Sequence, residues 1–342
     1  MDLLPSQDQR ELIAAATDFL ESRMPIEAIR TRDGQPSAVD AAAWREGAEM
    51  GLLTLGLAEE HRGSGLGLDD EALLFAALAE HLAPGPFLAS TLAARVAAGC
   101  GDTELATRIA DGSAMVGLAE LRGDGEIGPE GIKGTFDLID CVGVGQVLLV
   151  TEQGAAIVET GELGEIEELI PSDPGIRLAT ANAAAAPVRH WLPSEDDPIW
   201  LRAVVLTAAG LSGLASAVTT MATEHAKLRV QFGRPIGVHQ AIKHACADMA
   251  VASDAAMSQT LFAAVCVQTG RPDALFQALA AKTVAARAAI ENAAAAIQVH
   301  GGMGYTYEHD AHLFLKRAHV ISHLFGEPTH VLADLLEQGA PQ

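Results

Sequence analysis

Aromatic side chains are scarce in this chain of 342 residues: Phe, Trp and Tyr together make up 4% of it, with only two tyrosines. A sandwich of β-sheets draws on such rings for its core, whereas the abundant alanine here favours closely packed helices. Cysteine is rarer still. Cys100, Cys141, Cys246 and Cys266 lie far apart with no CxxC spacing, so neither a zinc site nor a disulfide framework is suggested and a reduced, cytoplasmic setting is expected. Cations are in the minority, 22 Lys and Arg against 45 Asp and Glu, for a net charge of −23. That balance argues against nucleic acid or an anionic membrane surface as partner. It also means that any phosphate ligand must be held by locally placed arginines. The start, Met1-Asp2-Leu3-Leu4-Pro5, lacks the basic region and apolar core of a signal peptide. One run, Ala203 to Thr223, has no charge at all. It is rich in Ala, Gly, Ser and Thr rather than Leu or Ile and is flanked by Arg202, Glu224 and Lys227. A helix buried among other helices is expected there, not a membrane span.

What remains is mostly helical periodicity, with one change of texture. Ser6-x-x-Gln9 has the form of a capping box, opening a helix with Leu12, Ile13, Ala16, Phe19 and Leu20 on one face. A second helix is predicted over 39–51. A third follows the loop His61–Gly67, with Asp69-Asp70-Glu71 placing negative charge at its start. Pro84-Gly85-Pro86 interrupts the pattern before 87–98 and 102–110 resume it. From Asp111-Gly112 to about Pro193 short β-like runs alternate with glycine-containing turns, among them Met115–Ala119, Val147–Thr151 and Ala155–Val158. The acidic run at 159–168 reads as a solvated loop or strand rim. Helices return at about 198–231, 237–269, 272–300 and 307–324, with a short one after Pro328, the pattern of an up-and-down bundle. The fold class expected is mostly α with a small central β domain. Its parts are a helical domain over 1–111, a β domain over 112–195 and a four-helix bundle over 196–342.

Two segments punctuate the bundle: Arg229-Val-Gln-Phe-Gly-Arg-Pro-Ile-Gly-Val-His-Gln240 and Gln298-Val-His-Gly-Gly-Met-Gly-Tyr305. The helices between them would span roughly 50 and 43 Å, turning at Thr269-Gly270-Arg271-Pro272. An antiparallel pair then brings Gln298 back beside Gly237. Arg229, a helix N-terminus after Gly237 and the glycines at 301, 302 and 304 together make an anion site suited to a pyrophosphate.

Helices, a small β domain and a bundle carrying these two segments resemble the acyl-CoA dehydrogenase family. There, an Arg-x-x-Phe-Gly-[Lys/Arg]-Pro segment with a following Gln, and a Gln-x-x-Gly-Gly-x-Gly segment, bind the adenosine-diphosphate half of FAD across a subunit interface. The resemblance assigns that clamp to Arg229, Phe232, Gln240, Gln298, Gly301 and Gly302. It also matches the loop Glu59–Gly65 and Glu80 to the family's loop and glutamate. The departures concern catalysis. The family's carboxylate base, which removes the acyl α-proton while the β-hydride passes to the flavin, occupies one of two places. Here those positions are Gly326, in Phe325-Gly326-Glu327-Pro328-Thr329, and Ala203. Flavin-contacting motifs correspond only to Ala119-Glu120-Leu121 and Thr135-Phe136-Asp137.

The resemblance therefore implies a non-catalytic subunit of a heterotetramer, two copies of each chain with two FAD. A homologous catalytic acyl-CoA dehydrogenase subunit would supply the base and most of the acyl-CoA site, and an electron-transfer flavoprotein would accept the electrons. Such mixed assemblies are associated with bulky CoA esters, including steroid side-chain intermediates. Two other readings stay open: a self-sufficient dehydrogenase using Glu327, and a structural bundle without cofactor. His319 and His323 share a helix face and Glu327-x-x-His330 resembles half a di-iron motif, but no full ligand set accompanies them and no metal is expected.

Overall fold

The computed structural model describes residues 3–35 and 37–339; Met1 and Asp2, with which the signal-peptide reading begins, lie outside them. In chain order the elements are α1 (Gln7–Arg23), α2 (Glu27–Thr31), α3 (Ala41–Glu49), α4 (Leu68–Glu80), α5 (Phe87–Gly99) and α6 (Thr103–Ala110), then strands β1 (Val116–Gly128), β2 (Gly131–Ile139), β3 (Gln146–Thr151), β4 (Gly154–Glu159), β5 (Ile166–Leu169), β6 (Leu178–Ala186) and β7 (His190–Pro193). Helix α7 (Ile199–Leu228) follows, then a two-stranded hairpin of β8 (Val230–Gln231) and β9 (Arg234–Pro235), and finally α8 (Gln240–Gln268), α9 (Ala274–His300), α10 (Ala311–His323) and α11 (Pro328–Glu337). The mostly helical class with a central sheet is as expected. Two compact units contain these elements, one of Met1–Thr17, Ala72–Leu82 and Val204–Gln342, the other of Asp18–Glu71 and Ala83–Ala203.

Local chemistry accounts for the helix starts. The Ser6 amide donates to Gln9 Oε1 at 2.9 Å and the Gln9 amide to Ser6 Oγ at 3.2 Å, the reciprocal pair of a capping box. Asp40 accepts from the amides of Ala42 and Ala43 at α3, and Asp102 from that of Leu105 at α6. At α4 only part of the acidic triplet behaves as the sequence suggested. Asp70 accepts from the Gly67 amide at 2.8 Å, while Glu71 is buried, its carboxyl pushed up by that burial against the pull of Arg95 and Arg202.

The sheet has the order β5-β6-β2-β1-β3-β4-β7. Its pairings are antiparallel except β1–β3, which is parallel. Phe136, Leu138, Val147, Leu149 and Val158 make its buried face. The acidic stretch ends in β5, an edge strand with three of its four residues exposed. Strand β6, Leu-Ala-Thr-Ala-Asn-Ala-Ala-Ala-Ala, was not anticipated: alanine carries little strand signal, and its place is set by pairing with both β2 and β5.

In the other unit, α7 is the buried helix its composition called for, with 83% of its most apolar window covered by protein. Small residues let its neighbours close in: a Cβ on Gly213 would stand 2.1 Å from the Ala76 carbonyl of α4. The Asn292 amide on α9 donates to Thr219 Oγ1 at 3.1 Å and to the Met249 carbonyl at 2.9 Å, tying α7, α8 and α9 together. Pairing of 249 with 292 sets α8 and α9 antiparallel, so Gln240 lies level with the end of α9. Three boundaries differ from expectation. Helix α7 stops at Leu228 because residues 230–235 turn back as a hairpin, α8 opens at Gln240 rather than after Gly237, and α10 opens at Ala311. The anion site therefore has no helix N-terminus at Gly237.

Candidate anion-binding site at one bundle end

Three imidazoles join the two punctuating segments. His225, in the last turn of α7, lies 4.2 Å from the ring of His300 at the end of α9, and His300 lies 4.3 Å from His309. His300 is fixed by an Nδ1–H donating to the Ala296 carbonyl at 2.7 Å, and His309 by an Nδ1 accepting from the Ala311 amide at 3.1 Å. Burial holds His225 below its ordinary value, assisted by the charges of His300, His309 and Arg229. Arg229 sits one helical turn beyond His225, and Gly301 directly follows His300. On the other side, the Ile236 amide donates to the Arg229 carbonyl at 2.8 Å, returning the hairpin to the start of α8. Arg229, Gln240 and Gln298 thus come to one end of the bundle.

Each of these side chains faces solvent. Arg229, Gln240, Gln298, Gly301 and Gly302 are exposed, and among the described residues the Arg229 guanidinium and both glutamine amides have no hydrogen-bond partner. A Cβ on Gly301 or Gly302 would meet nothing within 4 Å, so that stretch of backbone is open to a ligand. Phe232 is stranger. It is 94% exposed and has φ 53, followed by Gly233 at φ 78. Positive φ at both central residues makes a type I′ turn, where Asn-Gly is the favoured pair; a phenylalanine there stores strain to hold a ring in water. Beside the hairpin a hollow of about 340 Å³ is lined by Lys227 and Lys243 among small and apolar residues.

The two positions that the resemblance assigns to a base are Ala203 and Gly326. Ala203 is fully buried. Gly326 has φ 124, and a Cβ there would stand 3.0 Å from Val331 Cγ2. Its turn is held from behind by Lys282, 1% exposed, whose ammonium donates to the Leu324 carbonyl and, at 2.7 Å, to the Gly326 carbonyl. Glu327 occupies the N-cap position of α11 ahead of Pro328 without a side-chain cap bond; its Oε2 instead meets His323 Nδ1 at 2.9 Å, both side chains about half exposed. Glu80 is raised by burial, with the Ser216 hydroxyl opposing. The two segments that the resemblance matches to flavin-contacting motifs lie in the β1–β2 ladder: Ala119 pairs with Leu138 and Leu121 with Phe136, both Ala119 and Phe136 being buried. Arg122 pairs with Asp137 on the exposed side. No group of three or more His, Cys, Asp or Glu side chains among the described residues could hold a metal.

Sequence reasoning missed the imidazole stack and Lys282. The histidines lie 75 and 9 residues apart along the chain (300−225, 309−300), and only the antiparallel return of α9 makes them neighbours. Lys282 sits in an alanine-rich helix where nothing local distinguishes it from a surface lysine.

Known proteins match the chain in sequence and in fold. The model of the acyl-CoA dehydrogenase N-terminal domain matches residues 6–113, and that of the C-terminal domain residues 202–336. Acyl-CoA dehydrogenase IpdE2 of Mycobacterium tuberculosis (strain ATCC 25618 / H37Rv) is 32% identical over 337 residues, covering 97% of this chain and 98% of its own length. Among solved structures, the Tcur3481-Tcur3483 steroid ACAD is 25% identical with a TM-score of 0.85, over 97% of this chain and 98% of that one. The ChsE4-ChsE5 complex from Mycobacterium tuberculosis shares the fold at a TM-score of 0.87, with 22% identity and full coverage of both chains.

Proposed function

The chain belongs to the acyl-CoA dehydrogenase family, and we propose that it serves there as the non-catalytic subunit of a heteromeric enzyme, lending a clamp to FAD seated in a homologous partner. One observation carries this reading: Arg229, Gln240 and Gln298 converge on one bundle end, exposed and without a partner in their own chain, while the base positions hold Gly326 and Ala203. Bound FAD supplies the hydride acceptor for α,β-dehydrogenation of an acyl-CoA thioester. Toward it, the Arg229 guanidinium would give charge-assisted hydrogen bonds to the pyrophosphate, Gln240 and Gln298 would give amide hydrogen bonds, and Phe232 would wall the adenosine end. Gly301 and Gly302 let the backbone approach. The partner supplies the base and most of the acyl-CoA channel, and an electron-transfer flavoprotein takes the electrons.

Helix α8 supports an assembly. An 18-residue stretch of it is apolar, yet only 39% of that stretch is buried, with Val251 exposed on the helix and Leu228 and Tyr305 exposed in the same unit. The likeness to a steroid ACAD supports a bulky, steroid-derived CoA ester as substrate. Four unpaired thiols suit a reducing cytoplasm, and the segments 1–111, 112–195 and 196–342 stand as the domains on this reading.

Co-expression with a homologous catalytic subunit tests the proposal. The complex should carry the visible flavin band, and the chain purified alone should be colourless or aggregation-prone. Arg229→Ala in the complex should weaken FAD retention roughly tenfold or more, the loss of one charge-assisted contact, with thermal melting unchanged. Stoichiometric yellow protein from this chain alone would sink the heteromer; unaltered flavin retention in Arg229→Ala would sink the clamp.

A further inference from the structure

A second polar cavity lies in the sheet-containing unit, and it shares no residue with the clamp. It encloses about 390 Å³ between α3, α6, the β2–β3 loop and the approach to β7, within the range of small-molecule sites. Three arginines line it, Arg45, Arg108 and Arg189, against one carboxylate, Glu159. In a chain of net charge −23 a net-positive hollow runs against the global field, so its charge is a local arrangement.

The three cations are not equivalent. Arg189 is engaged, its guanidinium 2.6 Å from Glu159 and 3.0 Å from Asp102. Burial pushes the Glu159 carboxyl up, but the Gln146 amide and the Arg189 guanidinium outweigh it and hold it below the usual carboxylate range. Glu159 is therefore already neutralised by Arg189. Arg45 and Arg108 are different: among the described residues neither guanidinium has a hydrogen-bond partner or a carboxylate within 4 Å, Arg108 acts on Glu159 and Asp111 only from a longer distance, and its Nε is buried without an acceptor. Elsewhere in the same unit Arg95 and Arg202 share Asp197, Arg122 has Asp137, and Arg177 donates to four backbone carbonyls. A buried guanidinium N–H with no acceptor is unfavourable, and an oxygen-rich anion in the cavity would satisfy it. On the facing wall the β2–β3 loop offers Gly143 and Gly145, where a Cβ would meet nothing within 4 Å, leaving room for a ligand against the backbone.

We propose that this cavity binds a phosphate-bearing small molecule, its dianionic phosphate held between Arg45 and Arg108 and the remainder of the ligand filling the space along the glycine loop. Two forked guanidinium groups match a phosphate's charge and oxygen geometry, and the volume exceeds what a bare ion needs.

Calorimetric titration of the assembled protein with ribose 5-phosphate, inorganic phosphate and sulfate tests it. Saturable binding of the sugar phosphate is expected, with inorganic phosphate and sulfate weaker. Arg108→Gln and Arg45→Gln should each reduce affinity about tenfold or more, and Arg229→Ala should leave it unchanged. Glu159→Gln removes the lining carboxylate and leaves Arg189 paired with Asp102, so affinity should rise severalfold, a gain that misfolding cannot produce. Absent saturation, equal binding of all three anions, or affinity indifferent to Arg108→Gln and Glu159→Gln would each overturn the proposal. Dependence on Arg229 instead would place the phosphate at the clamp and overturn it as well, while leaving the clamp reading intact.

Discussion

Lys282 shows how a single buried residue can hold a turn, here the one that carries Gly326. Its ammonium caps the C-terminal end of α10 through the carbonyl of Leu324, the C-cap residue, where a helix end leaves carbonyls without partners and favours a cation, and it also holds the Gly326 carbonyl of the following turn. Lys282→Met keeps the volume but leaves the buried Leu324 carbonyl unsatisfied, at about 1–3 kcal/mol, while the exposed Gly326 carbonyl turns to water; thermal unfolding should shift down by a few degrees. Glu327→Gln is the companion test on the other side of that turn. A general base contributes about 10² to 10⁴ in rate, whereas loss of an exposed pairing with His323 costs at most about 1 kcal/mol. Turnover of the FAD-loaded complex should change less than about threefold, and complete loss would make Glu327 the base and this subunit catalytic. At this scale the sequence was legible where residues stand within a few positions of glycine or proline, as Arg229, Gln298 and Gly326 do, because a broken helix pattern draws the eye to them. Lys282 and His225 lie inside unbroken helices, and their partners are 42 and 75 residues further on, beyond the reach of any local pattern.

Among the elements, the hairpin β8–β9 departs furthest from what its residues prefer. Its turn asks for positive φ twice and receives Phe232, at a cost on the order of 1–3 kcal/mol for a non-glycine residue in that region. Phe232→Asn substitutes the favoured turn residue. It should melt at the same or a higher temperature while the complex loses FAD faster on dilution; a lower melting temperature with unchanged FAD retention would show that the ring packs for stability instead. Long helices were readable to within a few residues, since α8 and α9 repeat apolar positions over 29 and 27 residues. The hairpin's first strand was absorbed into the preceding helix and its second fell in the break at 232–236, because two-residue strands leave no periodicity. Strand β6 was missed for the opposite reason: its alanines fit either state, and only the two strands flanking it decide.

For the molecule as a whole, proton uptake and surface cover are the two quantities its parts determine jointly. His225 faces His300, His309 and Arg229, and its folded form binds a proton less readily than the unfolded chain does. The unfolded state therefore takes up the proton first as pH falls, so this group's stability is fully present above the ordinary histidine value and is lost on descending through it. From about pH 7.5 to about pH 5.5 wild type should lose more stability in urea titrations than His225→Gln; equal losses would remove the stack from the pH response. Class and domain order could be read from composition and texture, because alanine-rich helices and a glycine-punctuated β stretch are long-range averages. How much of each helix stays uncovered could not, since coverage depends on neighbours. Helix α8 is the case that matters. Its charge-poor length resembles that of α7, yet less than half as much of its apolar window is buried. Inside a cell, such a helix makes the chain's lifetime conditional. Copies that find a cover persist, and surplus copies present chaperones and proteases with the kind of apolar surface they act on. In the proposed heteromer the amount of this protein is then set by the supply of the partner that covers α8, and imbalance between the two transcripts would be corrected by degradation after synthesis.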